Sequence, residues 1–173
     1  MRLGIISDTH GKLIPEVLDI FARVDHILHG GDIGPADLLD ELAALAPVTA
    51  VFGNTDGFDV RGRLDRVARL ELGGLVTVVT HGDQFGSPTP GILHDAFPEA
   101  DIIVFGHTHK PKLELVDNTV TVMNPGSAGS ARLGIPPSVG IMELEPGIPP
   151  RARIVALTGA QDQVEGVDAE PGQ

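Results

Sequence analysis

Five short polar clusters along the chain carry residue types that bind metal ions. Each combines Asp, Asn or His with Gly directly after an apolar run: SDTHG near the start, then HGGD, GNTD, THGD and GHTH. Carboxylate oxygen, amide oxygen and imidazole nitrogen together suit Mn, Fe, Zn, Ni or Co and fit calcium poorly. The candidate ligands in these clusters are Asp8, His10, Asp32, Asn54, His81, His107 and His109.

This set of seven side chains is too large for a single ion of this kind. If one carboxylate bridges, the set divides into two sites about 3.5–4 Å apart, an arrangement that clamps the attacking and leaving oxygens of a phosphoryl displacement. Taken singly, the clusters have an ordinary explanation, because Asp, Asn, Gly and His are common in loops for turn bonding and solvation. Their repetition at successive strand ends favours the metal interpretation.

The elements that must position these clusters follow from the apolar pattern. In the first third, predicted strands at 2–7, 26–30 and 48–53 alternate with predicted helices at 14–24 and 35–45, which indicates β-α units and a parallel sheet. Loops at the carboxyl ends of such strands meet in one crevice, so we expect the polar clusters to converge. Each helix carries an apolar stripe that we expect in the core: Val17, Leu18, Phe21 and Val24, then Leu38, Leu39, Leu42 and Leu45.

From residue 66 onward the chain is mostly strand-like. We predict a helix at 91–97, hairpin turns at Gly73-Gly74 and Asp117-Asn118, and largely antiparallel pairing. The two halves together predict an α/β fold, a four-layer α-β-β-α sandwich of two facing mixed sheets flanked by helices. A single domain is expected over residues 1–158, and the acidic stretch 159–173 is expected to be a flexible tail.

Composition restricts the partners. Asp and Glu number 24 against 12 Lys and Arg, and the net charge of −12 argues against an extended nucleic-acid surface. The absence of cysteine excludes thiolate metal sites and cysteine nucleophiles. No apolar run approaches the ~20 residues of a membrane span, and the start lacks signal-peptide features, so we expect a cytoplasmic protein. A small phosphorylated substrate is compatible with the acidic chain when metal supplies the local positive charge.

The series D-x-H, G-D, G-N, a strand-ending H-G and G-H-x-H resembles the calcineurin-like metallophosphoesterases, over about residues 3–130. The short length, GNTD without an insert, and NPGSAG at 124–129 resemble the small bacterial and archaeal phosphodiesterase branch, which is related to the retromer scaffold subunit. The resemblance implies the same two-sheet sandwich, and by family habit a possible homodimer.

The resemblance also implies a chemistry. Two divalent ions, Mn before Ni, Fe, Zn or Co, would hold a hydroxide that attacks phosphorus in line. The predicted protein is therefore a binuclear metal-dependent phosphodiesterase of small substrates. The ligand set that the resemblance implies is Asp8, His10, Asp32 and His109 around the first ion, with Asp32 bridging to a second ion held by Asn54, His81 and His107.

Two positions depart from the family pattern. Thr55 stands where many relatives have a His thought to protonate the leaving group, so the general acid is unassigned and we predict a preference for aryl-like diesters. Asp83 stands where close relatives often have His. It either accepts a hydrogen bond from His81 on the side away from the metal or makes the pocket more acidic, and we favour the bond to His81.

Other polar residues near the motifs receive supporting roles. Asp56 either caps the segment that follows or bonds a ligand. Asn124 and Ser127 are expected to organise the GHTH loop rather than to touch substrate. Three further histidines are expected to be structural or on the surface: His26, His29 and His94.

Two alternative functions stay open. A phosphomonoesterase or nucleotidase would share the attack geometry and need an extra cation near the site, for which Lys12 and Lys110 are nearest in sequence. A non-catalytic scaffold would keep the fold and bind proteins, as the retromer relative does, but that relative has lost part of the ligand set. The seven positions here all keep residues that can bind metal, which favours the enzyme.

Overall fold

Two five-stranded sheets make up the fold in a computed structural model that describes residues 1–129 and 134–157. The strands of the described chain, in order, are β1 (Arg2–Ile6), β2 (His26–His29), β3 (Val48–Ala50), β4 (Val67–Leu72), β5 (Leu75–Thr80), β6 (Ile102–Phe105), β7 (Lys112–Val116), β8 (Val120–Asn124), β9 (Ser138–Glu145) and β10 (Ile148–Ala156). The helices are α1 (Pro15–Phe21), α2 (Asp37–Ala43), α3 (Phe58–Arg61) and α4 (Pro90–Ala96).

The first sheet has the order β10-β9-β1-β2-β3. Its β1, β2 and β3 run parallel, as the β-α pattern of the first third predicts, while β9 pairs antiparallel with β1 and with β10. Parallel neighbours need a crossover, which α1 and α2 provide here. The carboxyl ends of β1, β2 and β3 therefore lie at the same edge.

The second sheet has the order β4-β5-β6-β8-β7. The predicted hairpins are confirmed, since β4 pairs antiparallel with β5, and β7 with β8. The expectation of largely antiparallel pairing is wrong at the centre, where β5, β6 and β8 are parallel neighbours. Here α4 carries the chain from β5 to β6 and β7 carries it from β6 to β8, so both connections are crossovers and not tight turns.

Alternation along the central strands shows how the layers pack. In β6, Ile102 and Val104 join the core between the two sheets, whereas Ile103 and Phe105 pack on the opposite face with α4 residues such as Leu93. In β1, Leu3 and Ile5 face the other sheet and Ile6 faces the side covered by α1 and α2. Strands buried on both faces must be apolar throughout, which explains the uninterrupted apolar runs of the sequence. The four-layer α-β-β-α sandwich is thus confirmed.

Several predictions about the helices need correction. Leu18 is 37% exposed, because α1 ends at Phe21 and the stripe that enters the core runs through Val17, Phe21 and Val24. The short α3 has no counterpart among the predicted helices. None of the helices in the described part of the chain has the length and apolar character that a membrane crossing requires. The predicted tail at 159–173 lies outside the described residues.

Candidate metal centre

The predicted ligands lie on loops that leave the carboxyl ends of five strands. The loops follow β1, β2 and β3 in the first sheet and β5 and β6 in the second, so the edges of both sheets contribute to one place. The structure brings all of the predicted side chains together there. They form two groups that share Asp32: a first group of Asp8, His10, Asp32 and His109, and a second group of Asp32, Asn54, His81 and His107.

The first group is compact. Its four residues each offer one ligand atom, and these atoms all lie within 4.8 Å of one another. His109 Nε2 is 3.0 Å from Asp8 Oδ1 and 3.3 Å from His10 Nε2. Asp8 Oδ1 is buried and accepts no hydrogen bond from the described residues. A buried carboxylate oxygen next to two imidazole nitrogens is the donor set of a divalent transition-metal site.

The second group forms around Asn54 and Asp32. Asn54 Oδ1 is 3.1 Å from His81 Nε2 and 3.0 Å from His107 Nδ1. Asp32 Oδ2 is 3.4 Å from His81 Nε2 and 4.0 Å from His10 Nε2 of the first group. One carboxylate oxygen therefore faces both groups, which is the position a bridging ligand needs.

The hydrogen bonds behind the second group fix its imidazole tautomers. His81 Nδ1 lies 2.7 Å from the Gly30 carbonyl and must donate to it, so in the neutral ring the lone pair of Nε2 points at oxygen acceptors. His107 Nε2 likewise donates to the Gly86 carbonyl at 3.1 Å and leaves its Nδ1 lone pair facing inward. Lone pairs that face acceptors repel unless a positive charge lies between them. The residues present therefore fit a divalent cation.

Electrostatics keep the shared carboxylate ionised. Burial by itself raises the pKa of Asp32, but the hydrogen bond and charge of His81 and the Thr55 amide hold that pKa well below its usual range. The pKa of His81 is raised in turn: burial opposes the charge, and the bond to Asp32 outweighs it. Positive charge is therefore favourable beside Asp32, as a proton on His81 or as a metal ion.

The backbone at the ligands is left-handed. Positive φ values occur at Asp8 (54°), His10 (48°), Asp32 (52°), His107 (65°) and His109 (56°). Among non-glycine residues Asp, Asn and His adopt this region most readily, yet each such residue still stores backbone strain. Strain of this kind collects at functional sites, because the surrounding structure holds the side chains in a required direction.

Main-chain hydrogen bonds hold the loops of the first group. The loops after β1 and β2 continue side by side beyond the sheet: the amides of Asp8, His10 and Gly11 donate to the carbonyls of Gly31, Asp32 and Ile33 at 3.0, 3.0 and 2.7 Å. Glycine is required where backbone and ligand approach each other most closely. A Cβ at Gly53 would collide with Asp32 Oδ1, and one at Gly31 would lie 2.7 Å from His81 Nδ1.

Asp56 joins the loops of the two groups. It is buried and accepts three backbone hydrogen bonds, from Ile33 at 2.8 Å, Gly34 at 3.0 Å and Gly53 at 2.7 Å. Two of these amides belong to the loop after β2 and one to the loop after β3. Asp56 is thus neither a ligand contact nor the cap of α3, whose N-cap residue is Gly57 without a side-chain bond.

Two arginines support the second group, and neither was predicted. Arg61, the last residue of α3, donates to the carbonyls of residues 53 and 54 at 3.3 and 2.8 Å. Its guanidinium lies 5.4 Å from the centre of the Phe52 ring, and that of Arg66 lies 5.1 Å from the same ring. Arg66 also pairs with Asp83 at 2.8 Å. The available signal was a cluster of cations, RGRLDR at 61–66, which is separated from GNTD by four residues. The helix α3 is too short to show a helical period.

The preferred role of Asp83 is wrong. Its carboxylate pairs with Arg66, and the Gly30 carbonyl takes the His81 nitrogen that Asp83 was expected to bond. Gly82 has a φ of 96°, and the 3-10 turn at Asp83–Phe85 follows it directly. The side chain of Asp83 therefore reaches Arg66 instead of returning to the imidazole.

The supporting role of Asn124 is confirmed. Its Nδ2 donates to the Gly106 carbonyl at 2.7 Å and to Thr108 Oγ1 at 3.0 Å, within the GHTH loop. Ser127 differs from the prediction, since its hydroxyl donates to the Asp8 carbonyl at 2.9 Å and so supports the loop after β1.

His29 has the structural role that the sequence predicts. Thr9 Oγ1 donates to the Ile33 carbonyl and therefore accepts from His29 Nε2, while His29 Nδ1 accepts from the Gly31 amide. Complete burial lowers the pKa of His29 to about 4, so the ring is neutral. The other two histidines that were expected to be structural or on the surface are partly exposed. His26 is bonded to Thr49, and His94 is paired with Asp117.

Comparison with known proteins gives consistent matches. Residues 1–147 match the model of the calcineurin-like phosphoesterase superfamily domain. A probable metallophosphoesterase of Methanothermobacter thermautotrophicus is 36% identical over 156 residues, which cover 84% of this chain and 87% of that protein. A phosphodiesterase of Methanocaldococcus jannaschii is 30% identical over 161 residues, covering 84% and 94%.

Solved structures agree on the fold. Vacuolar Protein Sorting 29 of Entamoeba histolytica, solved in complex with Zn²⁺, superimposes with a TM-score of 0.82 over 97% of this chain and 99% of that chain. The two sequences are 23% identical, so this likeness concerns the fold alone. It shows that the two-sheet sandwich is shared well beyond close sequence relatives.

Proposed function

The chain belongs to the calcineurin-like phosphoesterase superfamily, and from that premise we propose that it hydrolyses small phosphodiesters with two divalent metal ions, Mn before Ni, Fe, Zn or Co. One observation carries the proposal: Asp32 Oδ2 lies 4.0 Å from His10 Nε2 and 3.4 Å from His81 Nε2, between two complete ligand groups. A single carboxylate in this position suits a pair of ions better than one.

In this proposal the first group holds one ion, the second group holds the other, and Asp32 bridges them. Ions bound there supply positive charge to the phosphoryl oxygens and lower the pKa of water. The protein's own contribution is positioning. Gly30 and Gly86 carbonyls hold His81 and His107 with their lone pairs directed inward, and left-handed backbone aims the ligands of the first group. Asp8, Asp32 and His81 are buried while His10 and Asn54 are exposed, so one side of the centre is open to substrate.

A diester is favoured over a monoester by what the nearby arginines do. A monoester dianion needs additional positive charge outside the metal ions. Arg61 is engaged with loop carbonyls and Arg66 with Asp83, so neither guanidinium is available for a dianion. Lys110 lines a groove beside His107 and belongs to neither ligand group, so its charge is placed for a substituent and not for the phosphoryl group. The scaffold alternative is disfavoured because a protein-binding surface has no need for seven converging ligand-competent side chains, five of them on left-handed backbone and three of them buried.

The test is hydrolysis of bis-p-nitrophenyl phosphate by protein loaded with Mn or Ni. Asp32→Asn keeps the shape of the side chain and removes the bridging charge, and we expect it to lower the rate by about a thousandfold. Asp40→Asn, an exposed carboxylate on α2, is the matched control and should keep the wild-type rate. Absence of hydrolysis by the wild type with every divalent metal, together with no bound metal by elemental analysis, would contradict the proposal and favour the scaffold.

The missing general acid has a separate consequence. Thr55 contributes its backbone amide to Asp32 at 2.9 Å and offers no acidic proton near neutral pH. A series of aryl diesters should therefore react faster as the pKa of the leaving group falls. A rate that does not depend on that pKa would show that another residue protonates the leaving group.

A further inference from the structure

A groove opens beside His107, on the α4 and β7 side of the metal centre. It has a volume of about 850 Å³, and its walls come from residues 86–91 on one side and 105–114 on the other. The Gly86 carbonyl that receives the His107 hydrogen bond lies on its rim. The groove is therefore continuous with the second ligand group.

This volume exceeds what a phosphoryl group needs. Pockets of roughly 300–1,000 Å³ hold whole small molecules, so the groove has room for a substituent of the phosphate in addition to the reacting centre. A diester has two substituents, one that leaves and one that stays on phosphorus. A groove that begins at His107 is placed to receive one of them while the phosphoryl group lies at the ligand groups.

The charge of the groove is unlike that of the chain. Two lysines, Lys110 and Lys112, and one acid, Glu114, line it, in a protein whose net charge is −12. Lys112 Nζ lies 2.8 Å from Glu114, which neutralises that pair. Lys110 makes no ion pair with any residue in the described ranges, so the groove keeps one positive charge to offer.

Thr108 adds a donor to the same wall. Its Oγ1 accepts from Asn124 Nδ2 at 3.0 Å and from the Lys110 amide at 3.4 Å. A hydroxyl has two acceptor lone pairs and one hydrogen. Both lone pairs of Thr108 Oγ1 are used, so its O–H group can donate a hydrogen bond to a ligand. Donors and an ammonium group in one wall favour an anionic oxygen as the ligand atom.

The apolar part of the groove disfavours an aromatic base. The chain has no Trp or Tyr, and Phe105, which borders the groove, is only 2% exposed. Base recognition relies on stacking against aromatic faces. The rings that border this groove are those of Phe105, which is buried, and His107, whose nitrogens are engaged with Asn54 and Gly86. Pro88, Pro90 and Pro111 instead form firm sides suited to a short aliphatic chain.

We infer that this groove is a substrate subsite that selects phosphodiesters with a short, non-aromatic, negatively charged second substituent, such as a phosphorylated or carboxylated polyol. The inference rests on the proposed function, because it names the class of substrate for the same centre. Lys110 supplies the charge and Thr108 supplies a hydrogen bond. The charge of Lys112 is neutralised by its ion pair with Glu114.

Three p-nitrophenyl diesters test the selection. They share one leaving group and differ in the second substituent: 3-carboxypropyl, 4-hydroxybutyl or choline. Because the bond that breaks is the same, differences in kcat/KM report binding of the substituent. At low salt we expect the carboxylate to exceed choline by about three- to tenfold, mainly through KM, since an exposed charge pair contributes modestly. Equal kcat/KM values for the three diesters would overturn the inference and leave the proposed function intact.

Single substitutions connect the selection to the groove. Lys110→Gln should bring the carboxylate and choline values to within about twofold of each other, and Glu114→Gln, which releases Lys112, should widen the difference. Arg63→Gln is the matched control, an exposed cation outside the groove, and should keep the wild-type ratio. Hydrolysis of bis-p-nitrophenyl phosphate should be unchanged in Arg63→Gln, because Arg63 lies outside the groove and outside both ligand groups.

A binding measurement decides the matter without catalysis. In metal-free protein, titration with glycerol 3-phosphate should shift the amide resonances of non-proline residues in the groove walls, and glycerol should not. The resonances to follow are those of Gly86, Ser87, Thr89, Gly91, Thr108, Lys110, Lys112 and Glu114. Lys110→Gln should weaken that binding by about threefold or more. If the anion leaves these resonances unchanged, the inference is overturned. If no diester is hydrolysed but the anion binds here selectively, the groove is an anion site as inferred and the proposed function fails separately.

Discussion

The two ligand groups are held in place by different means. The loops of the first group are joined by main-chain hydrogen bonds, with the amides of Asp8, His10 and Gly11 donating to the neighbouring loop. The second group depends on side chains: Arg61 holds the carbonyls of residues 53 and 54, and histidine lone pairs are directed by single carbonyl contacts.

This difference separates what the fold supplies from what individual residues supply. Main-chain bonds form whatever the side chains are, so the pairing of the loops after β1 and β2 should survive most side-chain substitutions around it. Side-chain supports can be removed one at a time, so the affinity of the second group should be adjustable without loss of the fold. In metal-ligand sites, removal of an outer hydrogen-bond partner typically costs 10–100-fold in affinity.

The largest expected effect comes from Asp56, which joins the two groups. Asp56→Asn places an amide nitrogen against at least one of three backbone N–H groups and removes the charge that they share. We expect the free energy of unfolding to fall by about 2–4 kcal/mol, measured by urea denaturation of the metal-free protein. Asp59→Asn, an exposed carboxylate on α3, should cost far less. Equal losses in the two variants would mean that the loops stay joined without Asp56.

The next largest effect is a loss of stability at low pH that depends on His29. This residue bonds Thr9, which lies between the first-group ligands Asp8 and His10. The pKa of His29 is about 4 in the folded protein and 6.5 for a free histidine side chain, so between these pH values the unfolded chain binds the proton and the folded chain does not. Stability from this residue is therefore complete above pH 6.5 and is lost as pH falls towards 4, by about 3 kcal/mol. Denaturation at several pH values should show a shallower decline for His29→Gln. An unchanged decline would assign the pH dependence to other groups.

The comparison between the groups is sharpest at Arg61. Arg61→Gln removes the guanidinium that holds the Asn54 and Gly53 carbonyls, and no first-group ligand is in contact with it. We expect Mn²⁺ to bind about tenfold more weakly at the second group and unchanged at the first, as two resolved steps in calorimetry. The control is Arg63→Gln, a nearby exposed arginine. Equal weakening of both steps would show that the groups are not supported separately.

The smallest effect concerns Asp83. Its pair with Arg66 is partly exposed, with side-chain exposures of 14% and 42%, so Asp83→Asn should lower the free energy of unfolding by only about 0.5–1 kcal/mol. The loss should shrink in 1 M NaCl, because salt screens such pairs. Metal binding at His81 should not change, since Asp83 does not contact that ring. A change there would restore the sequence-based assignment of Asp83 to His81.

Much of the fold was predictable, because its signals are local. Each strand of the second half has an apolar run, and turn residues such as Gly73-Gly74 identify the β4–β5 hairpin. Strand direction was not predictable in the same way. A run buried on both faces has no alternation, and nothing in β5 or β6 indicates that they pair in parallel. Leu18 was misplaced because a seven-residue helix buries a narrower stripe than the sequence period suggests.

The sequence by itself determined that each cluster follows a strand. For the clusters after β1, β2 and β3 it also determined that they converge, because the strand ends of parallel β-α units meet at one edge. Only the tertiary structure decided which atoms are shared and which residues support them. His10 and His109 are 99 residues apart yet touch, and Asp32 Oδ2 faces both groups. Such contacts depend on loop backbone angles and on hydrogen bonds between distant segments. Local residue patterns predict neither the loop angles nor these hydrogen bonds, because both are set when the two sheets pack against each other.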